Sequence, residues 1–401
     1  MTRELNSILS DNAKGMKRSA IRELLKLTSN PDIISFAGGL PSPLSFPVDE
    51  LKVIVNEMME TEATKALQYG STEGDNLLRE ELVKVYQEQG LNISIDNLII
   101  TTASQQGLDL VAKLLINRGD KIIVGLPSYL GGLSAFNSYG ASMVGVPLDD
   151  EGMSSIELEK TIEEMKSKNE LPKFIYIIPD FQNPAGITMT EKRRKEILKI
   201  SSKYNILIIE DSPYRELRYE GKPQKTLYEL DETGNVIMLG TFSKIFAPGL
   251  RIGWVIASQE IVDKFVVAKQ ATDLCTSPFT QRIAARYLQK GLLKIKIKEI
   301  IEMYRKKKEI MMDSLKKYMP EGVSWTNPEG GLFLLLTLPE GMDSEKLFKI
   351  AIEKKVAFVI GSAFRCDDGG RNTARLNFSY ASEEQNVEGI KRLAESIKEY
   401  K

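Results

Sequence analysis

The chain has 401 residues, 42% hydrophobic and 27% charged, with a formal net charge of -1; this is a soluble globular composition with room for a large domain and a smaller one. The balanced charge, with no conspicuously basic half, argues against a nucleic-acid or anionic-membrane surface and makes small molecules the expected partners. The chain contains 0 histidines, which excludes Ser-His-Asp triads, Cys-His dyads and histidine-ligated zinc or iron sites. Acid–base work near neutral pH therefore falls to a perturbed Lys, Tyr, Cys, Asp or Glu.

The N-terminal stretch MTRELNSILSDNAKGMKRSA is charged throughout and lacks the apolar core of a signal peptide. No apolar run approaches the ~18 residues of a membrane span, so a cytoplasmic location is expected. Cys275 and Cys366 have no CxxC spacing; they fit a reducing compartment, read as packing residues and leave no metal site to expect. The sequence has no internal repeat, low-complexity segment, GxGxxG or Walker A pattern.

Between about residues 97 and 257, short β-rich apolar runs alternate with segments of helical period, the signature of an α/β layer with a mostly parallel sheet. NLIITT (97–102), KIIVG (121–125), SMVGVPL (142–148), KFIYII (173–178), NILIIE (205–210), VIMLG (236–240) and WVIAS (254–258) read as seven strands, apolar on both faces. Ligands of such sheets sit beyond the carboxyl ends of the strands.

The residues that follow each run form a chemically unusual set. After NLIITT, Ser104 and the glutamines 105 and 106 open a helix whose free N–H groups make a phosphate seat, or simply an N-cap. After KIIVG comes Tyr129, a ring that either stacks on a ligand or fills core space. Asn183 follows KFIYII within PDFQNPAG, as a fixed amide donor or a plain turn residue. Asp211 and Tyr214 follow NILIIE; a carboxylate at an apolar strand end wants a cationic partner, unless it only caps the next helix. After VIMLG come Thr241, Ser243, Lys244 and Arg251, two hydroxyls and a guanidinium suited to a phosphate dianion, with a lysine among apolar residues. Removing an ammonium from water costs several kcal/mol unless it is paired or neutralised, so Lys244 either reaches solvent or has its amine chemically used. Pyridoxal phosphate is the ligand that needs a phosphate cup, a stacking ring, a partner for its 3′-oxygen, a carboxylate for its ring nitrogen and an amine for its aldehyde.

Beyond this region Leu292 to Tyr318 is a long Lys/Glu-rich helical pattern, followed by the strands GLFLLLTL (331–338), VAFVIG (356–361) and ARLNFSY (374–380), a second unit of α+β character. Within the helix, KIKIKEIIEMYRKKK reads as a solvated face. Period-2 alternation in ARLNFSY sets Arg375, Asn377 and Ser379 on one face, which by pattern alone is also a solvated one.

From about Ile21 to Tyr380 the chain resembles the fold-type I, class I/II aminotransferases, in the group with 2-aminoadipate, kynurenine and aromatic aminotransferases. The motifs that carry the resemblance are IRELLKL, ISFAGGLPSPLSFP, LQYGSTEGDNLLRE, TTASQQGLDL, DFQNPAGITM, IEDSPY, GTFSKIFAPGLRIGW and ARLNFSY, in that order. One departure is Ala185, where the family more often has Thr or Ser before the glycine; Asn183 and Gly186 remain. The resemblance implies an α/β fold with a mostly parallel seven-stranded sheet in a large cofactor domain (46–290). An N-terminal arm and part of a small domain (1–45) and a C-terminal small domain (291–401) complete it. It implies ping-pong transfer of an α-amino group between an L-amino acid (2-aminoadipate, aromatic or aliphatic) and a 2-oxo acid such as 2-oxoglutarate, through pyridoxamine phosphate.

Carried onto this sequence, the family makes Lys244 the Schiff-base lysine and proton shuttle and pairs Asp211 with the ring nitrogen. Asn183 and Tyr214 go to the 3′-oxygen and Tyr129 to the ring face. Ser104, Gln105, Thr241, Ser243 and Arg251 go to the phosphate. Tyr69 reaches the site of a second subunit, which implies a homodimer. Arg375 clamps the substrate carboxylate, with Asn183, Gly39 and Arg22 also at the substrate; Arg22 would meet a distal carboxylate. A β-lyase or decarboxylase on the same fold is the alternative chemistry. A transcription regulator of this fold is not expected, because only ~20 residues precede the first motif and a DNA-binding domain needs at least ~50.

Overall fold

The apolar runs assemble into one eight-stranded sheet in a computed structural model that describes residues 7–16 and 30–400. Counting from a two-residue strand in the N-terminal arm, β1 (Ile34–Ser35), the sheet contains β2 (Leu98–Thr101), β3 (Lys121–Leu126), β4 (Ser142–Asp149), β5 (Gly152–Met153), β6 (Phe174–Ile177), β7 (Leu207–Asp211), β8 (Val236–Thr241) and β9 (Gly253–Ile256). Their spatial order is β2-β9-β8-β7-β6-β3-β4-β5. All of the longer strands run one way except β9, which pairs antiparallel with β2 and β8. The seven expected strands are all present. The eighth, β5, pairs with β4 across a tight turn and is too short to leave a periodic pattern.

Successive side chains of a strand must point to opposite faces, and here they feed two cores. Ile122, Val124, Phe174 and Tyr176 enter one, with Leu108 and Val111 of the helix Ala103–Leu115. Ile123, Ile175 and Ile177 enter the other, with Leu158 and Ile162 of the helix Ser155–Ser167 and Ile197 of the helix Glu191–Tyr204. Cover on both faces is why these strands are continuously apolar. The helices between them carry ordinary stop signals: Thr190 caps Glu191–Tyr204 by accepting from Arg193 N, and Asn205 ends it at φ 51°.

The C-terminal part builds a smaller antiparallel sheet from β10 (Ser324–Trp325), β11 (Phe333–Thr337), β13 (Val359–Ile360) and β14 (Thr373–Asn377), in the order β10-β11-β14-β13. The run VAFVIG, read as one strand, is two: β12 (Val356–Ala357) pairs with β1 of the arm, whereas β13 pairs with β14. Two partners in different sheets require the break at Phe358. The arm continues beside β14, where Asn377 N donates to Phe36 O at 3.0 Å.

One face expected to be solvated is buried, and a second, on the helix Leu292–Tyr318, is solvated except at Lys307 and Lys308. Arg375, Asn377 and Ser379 are enclosed, because β14 lies inside its sheet and the arm covers it; Asn377 bonds Ser379, and Ser379 Oγ donates to Leu40 O at 2.9 Å. On the helix Leu292–Tyr318, three successive lysines ~100° apart cannot all face water. Lys306 does, whereas Lys307 donates to Ser379 O and Ala381 O at 2.8 Å each, and Lys308 to Glu220 at 2.6 Å. Lys307→Met leaves two buried carbonyls unpaired and is expected to cost about 2–4 kcal/mol in denaturant unfolding. Lys306→Met removes only an exposed bridge to Glu383 and is expected to cost less than about 1 kcal/mol; equal losses would contradict this placement.

Candidate active site

The parallel strands bring their carboxyl ends to one edge of the large sheet, and the chemistry collects there. Asp211, the last residue of β7, is 1% exposed. Its Oδ2 accepts from the Tyr176 hydroxyl at 2.8 Å, while Oδ1 is buried with no partner among the described residues. Burial pushes its carboxyl up to about 6, against the opposing pull of the Tyr176 hydrogen bond and the Lys244 charge.

Tyr214 follows after a Ser-Pro turn and is buried, its hydroxyl accepting from Asn183 Nδ2 at 3.2 Å and its ring edge-on to Phe333. Asn183 Oδ1 in turn accepts from Arg375 Nη1 at 2.9 Å, and Arg375 Nη2 donates to Ala37 O at 2.7 Å. The Arg375 guanidinium lies 4.2 Å from the Phe333 ring centre and 4.9 Å from that of Phe364, with Nε buried and without a partner among the described residues. Burial brings it down to about 10, so it stays cationic at neutral pH.

Lys244 lies in the loop after β8, half-buried, with Nζ donating to Gly39 O at 2.8 Å. Burial, reinforced by the positive charges of Arg375 and Arg251, lowers its amine to about 8, while Asp211 opposes the shift. Among the described residues this lysine has no ion pair, and it has become more readily neutral.

Beside it, Thr241 Oγ1 and Ser243 Oγ are 2.9 Å apart, and Ser243 N donates to Thr241 Oγ1 at 3.1 Å. Arg251 is exposed, in the left-handed region at φ 54°, with Nη1 donating to Pro248 O at 3.4 Å. Ser104 and Gln105 occupy the first turn of Ala103–Leu115. A Cβ on Gly253 would lie 2.6 Å from Ser104 N, so only glycine lets β9 pass this helix start. Gln105 Nε2 donates to Gly131 O at 3.0 Å, and Tyr129 is half-buried beside it.

Hydrogen bonds therefore join Arg375, Asn183 and Tyr214 in one chain, Lys244 to Gly39, and Asp211 to Tyr176. Tyr69 is 80% exposed and is not hydrogen-bonded to this cluster; Arg22 lies outside the described residues. Tyr176, Phe333 and Phe364 escaped the sequence reading. The only signal for Tyr176 was a phenol inside an aliphatic run.

The chain belongs to the class I and II aminotransferases, whose family profile matches residues 32–393. It is 48% identical to aromatic-amino-acid aminotransferase 1 of Thermococcus litoralis over 99% of this chain and 96% of that protein. Kynurenine aminotransferase of Pyrococcus horikoshii, solved in complex with PMP, has the same fold with a TM-score of 0.95 at 49% identity, over 99% of this chain and 98% of the other. The alpha-aminoadipate aminotransferase of Thermus thermophilus, complexed with N-(5'-phosphopyridoxyl)-L-leucine, gives 0.91 at 35% identity, over 98% of each chain. The protein is a pyridoxal-phosphate-dependent aminotransferase of fold-type I, and the residues present fit that cofactor. The open Oδ1 of Asp211 suits a protonated ring nitrogen, and the hydroxyls of Thr241 and Ser243 near a helix start suit a phosphate.

In cofactor-free protein, reductive labelling of Lys244 by a small aldehyde should rise with pH with a midpoint at about 8, because the neutral amine is the nucleophile. A midpoint near the ordinary lysine value of 10.5 would contradict the enclosure described.

Proposed function

We propose that this enzyme transfers the α-amino group of 2-aminoadipate, aromatic and aliphatic L-amino acids to a 2-oxo acid such as 2-oxoglutarate, with Lys244 and Asp211 as the acting pair. The observation that carries this reading is a lysine made more readily neutral in the same site as a carboxylate with one open oxygen. When bound, pyridoxal phosphate supplies an aldehyde that condenses with amines and a ring that, kept protonated, accepts the electron pair left by a departing Cα proton. Lys244 would hold the aldehyde and would take and return the Cα proton; an amine near 8 is well poised for both at neutral pH.

Asp211 holds the proton on the ring nitrogen. Asn183 and Tyr214 address the 3′-oxygen, and Tyr129 covers the ring face. Ser104, Gln105, Thr241, Ser243 and Arg251 hold the phosphate. Arg375 takes the substrate carboxylate with its planar fork, helped by Asn183 and the Gly39 backbone. The homologues named for aromatic amino acids, kynurenine and alpha-aminoadipate support the aromatic and 2-aminoadipate parts of this range.

A cytoplasmic homodimer is part of the same reading, with Tyr69 serving a second subunit. Leu44, Val48 and Val53 are exposed apolar side chains in the segment just before it, surface that a second copy would cover. The chain would divide into 1–45, 46–290 and 291–401. Among the described residues no helix is long and apolar enough to cross a membrane.

A panel of amino donors with 2-oxoglutarate tests the proposal. Wild type is expected to convert its cofactor stoichiometrically to the amine form with glutamate, and Lys244→Ala to lose at least ~10²–10⁴-fold in turnover; near-normal turnover would overturn the assignment. In the same panel Arg22→Ala should weaken 2-aminoadipate and 2-oxoglutarate by about 1.5–3 kcal/mol, the size of a charge-assisted contact, and leave apolar donors within a few-fold. Equal losses for both classes would remove Arg22 from side-chain recognition.

A further inference from the structure

Tyr176 has no part in the roles assigned above, yet its hydroxyl makes the one hydrogen bond to the Asp211 carboxylate among the described residues, 2.8 Å from Oδ2. Both side chains are 1% exposed. In the β6–β7 register Tyr176 stands opposite Ile209, two residues before Asp211, so the two side chains emerge on the same face of the sheet. The ring is held edge-on by Phe136, with centroids 5.2 Å apart. The helix Leu130–Ser138 carries Gly132 where it passes the phenol; a Cβ there would lie 3.0 Å from ring carbons and 3.1 Å from the hydroxyl. Packing on two sides thus fixes where the hydroxyl points.

We propose that Tyr176 is a positioning residue that turns Asp211 toward the cofactor ring, occupying Oδ2 so that Oδ1 is the oxygen left to receive the ring N–H. This rests on the assignment of Asp211 to the ring nitrogen. The chemistry of a phenol suits the task. Its hydrogen bond stabilises the ionised carboxylate, yet it brings no positive charge to compete with the protonated ring. An arginine or lysine at this position would neutralise Asp211 and leave the ring nitrogen little to gain from its proton. Burial in turn keeps the phenol protonated, hence a donor, well beyond the ordinary range of tyrosine. Phenylalanine would leave both carboxylate oxygens without a protein donor.

The test uses the holoenzyme reconstituted with ring-15N pyridoxal phosphate, comparing wild type with the near-isosteric Tyr176→Phe. In wild type the 15N resonance should be that of a protonated ring nitrogen. In Tyr176→Phe it should move toward that of neutral pyridine, because the carboxylate has lost the bond that favoured its charged form. The turnover number should fall about ten- to a hundredfold, the range of one charge-assisted hydrogen bond, with KM changed by less than about threefold. In an Asp211→Asn background, Tyr176→Phe should lower turnover by less than about threefold. An unchanged 15N shift in Tyr176→Phe would make the residue merely structural, even if thermal stability fell. An equal fractional loss of turnover in the Asp211→Asn background would show action independent of Asp211; either result overturns the proposal. A wild-type resonance already at the neutral-pyridine position would instead overturn the assignment of Asp211 itself.

Discussion

A carboxylate buried at the end of an aliphatic strand is the constraint on which the rest of this site depends. Taking Asp211 out of water is costly, and the protein returns only part of the cost through one neutral hydrogen bond, leaving Oδ1 open. The carboxyl is accordingly raised and the neighbouring Lys244 lowered, a site held short of internal neutralisation. A ligand that brought a cationic N–H to Oδ1 and an aldehyde to Lys244, as proposed for pyridoxal phosphate, would relieve both at once. Binding free energy and reactivity would then come from the same two groups.

The other charges are arranged so as not to disturb that pair. Arg375 is enclosed by the rings of Phe333 and Phe364 and by the carbonyl of Ala37, on the strand β14 of the smaller sheet. Its fork reaches Asn183 in the loop after β6, and Lys244 reaches Gly39 of the arm. The cluster therefore draws on the large sheet, the arm and the smaller sheet. Pairing of β1 with β12 and of Asn377 N with Phe36 O fixes the arm between them. Distant parts of the chain meet here because strand ends and the arm are the places where polar groups can converge without interrupting a core.

Much of this was legible in the sequence, and the exceptions have physical causes. All seven long strands were readable because strands covered on both faces are uninterrupted aliphatic runs. β5 was not, being two residues in a turn, nor was the division of VAFVIG between two sheets, since pairing partners leave no mark on local hydrophobicity. Lys244 and Asp211 stood out as charges in apolar surroundings. Tyr176 did not, because a tyrosine in a buried run counts as apolar and only the fold brings its hydroxyl to Asp211. Arg375 by pattern belonged on a wet face, a rule that fails where the polar side of a strand is covered by another segment with free carbonyls. Lys307 failed it for the same reason.

The most direct measurement is a crystal structure of the protein with pyridoxal phosphate bound. Continuous density is expected between Lys244 Nζ and the cofactor's aldehyde carbon, with the ring nitrogen at about 2.8 Å from Asp211 Oδ1 and Oδ2 still on the Tyr176 hydroxyl. A ring nitrogen directed away from Asp211, or a Lys244 side chain unattached to the cofactor, would contradict these assignments.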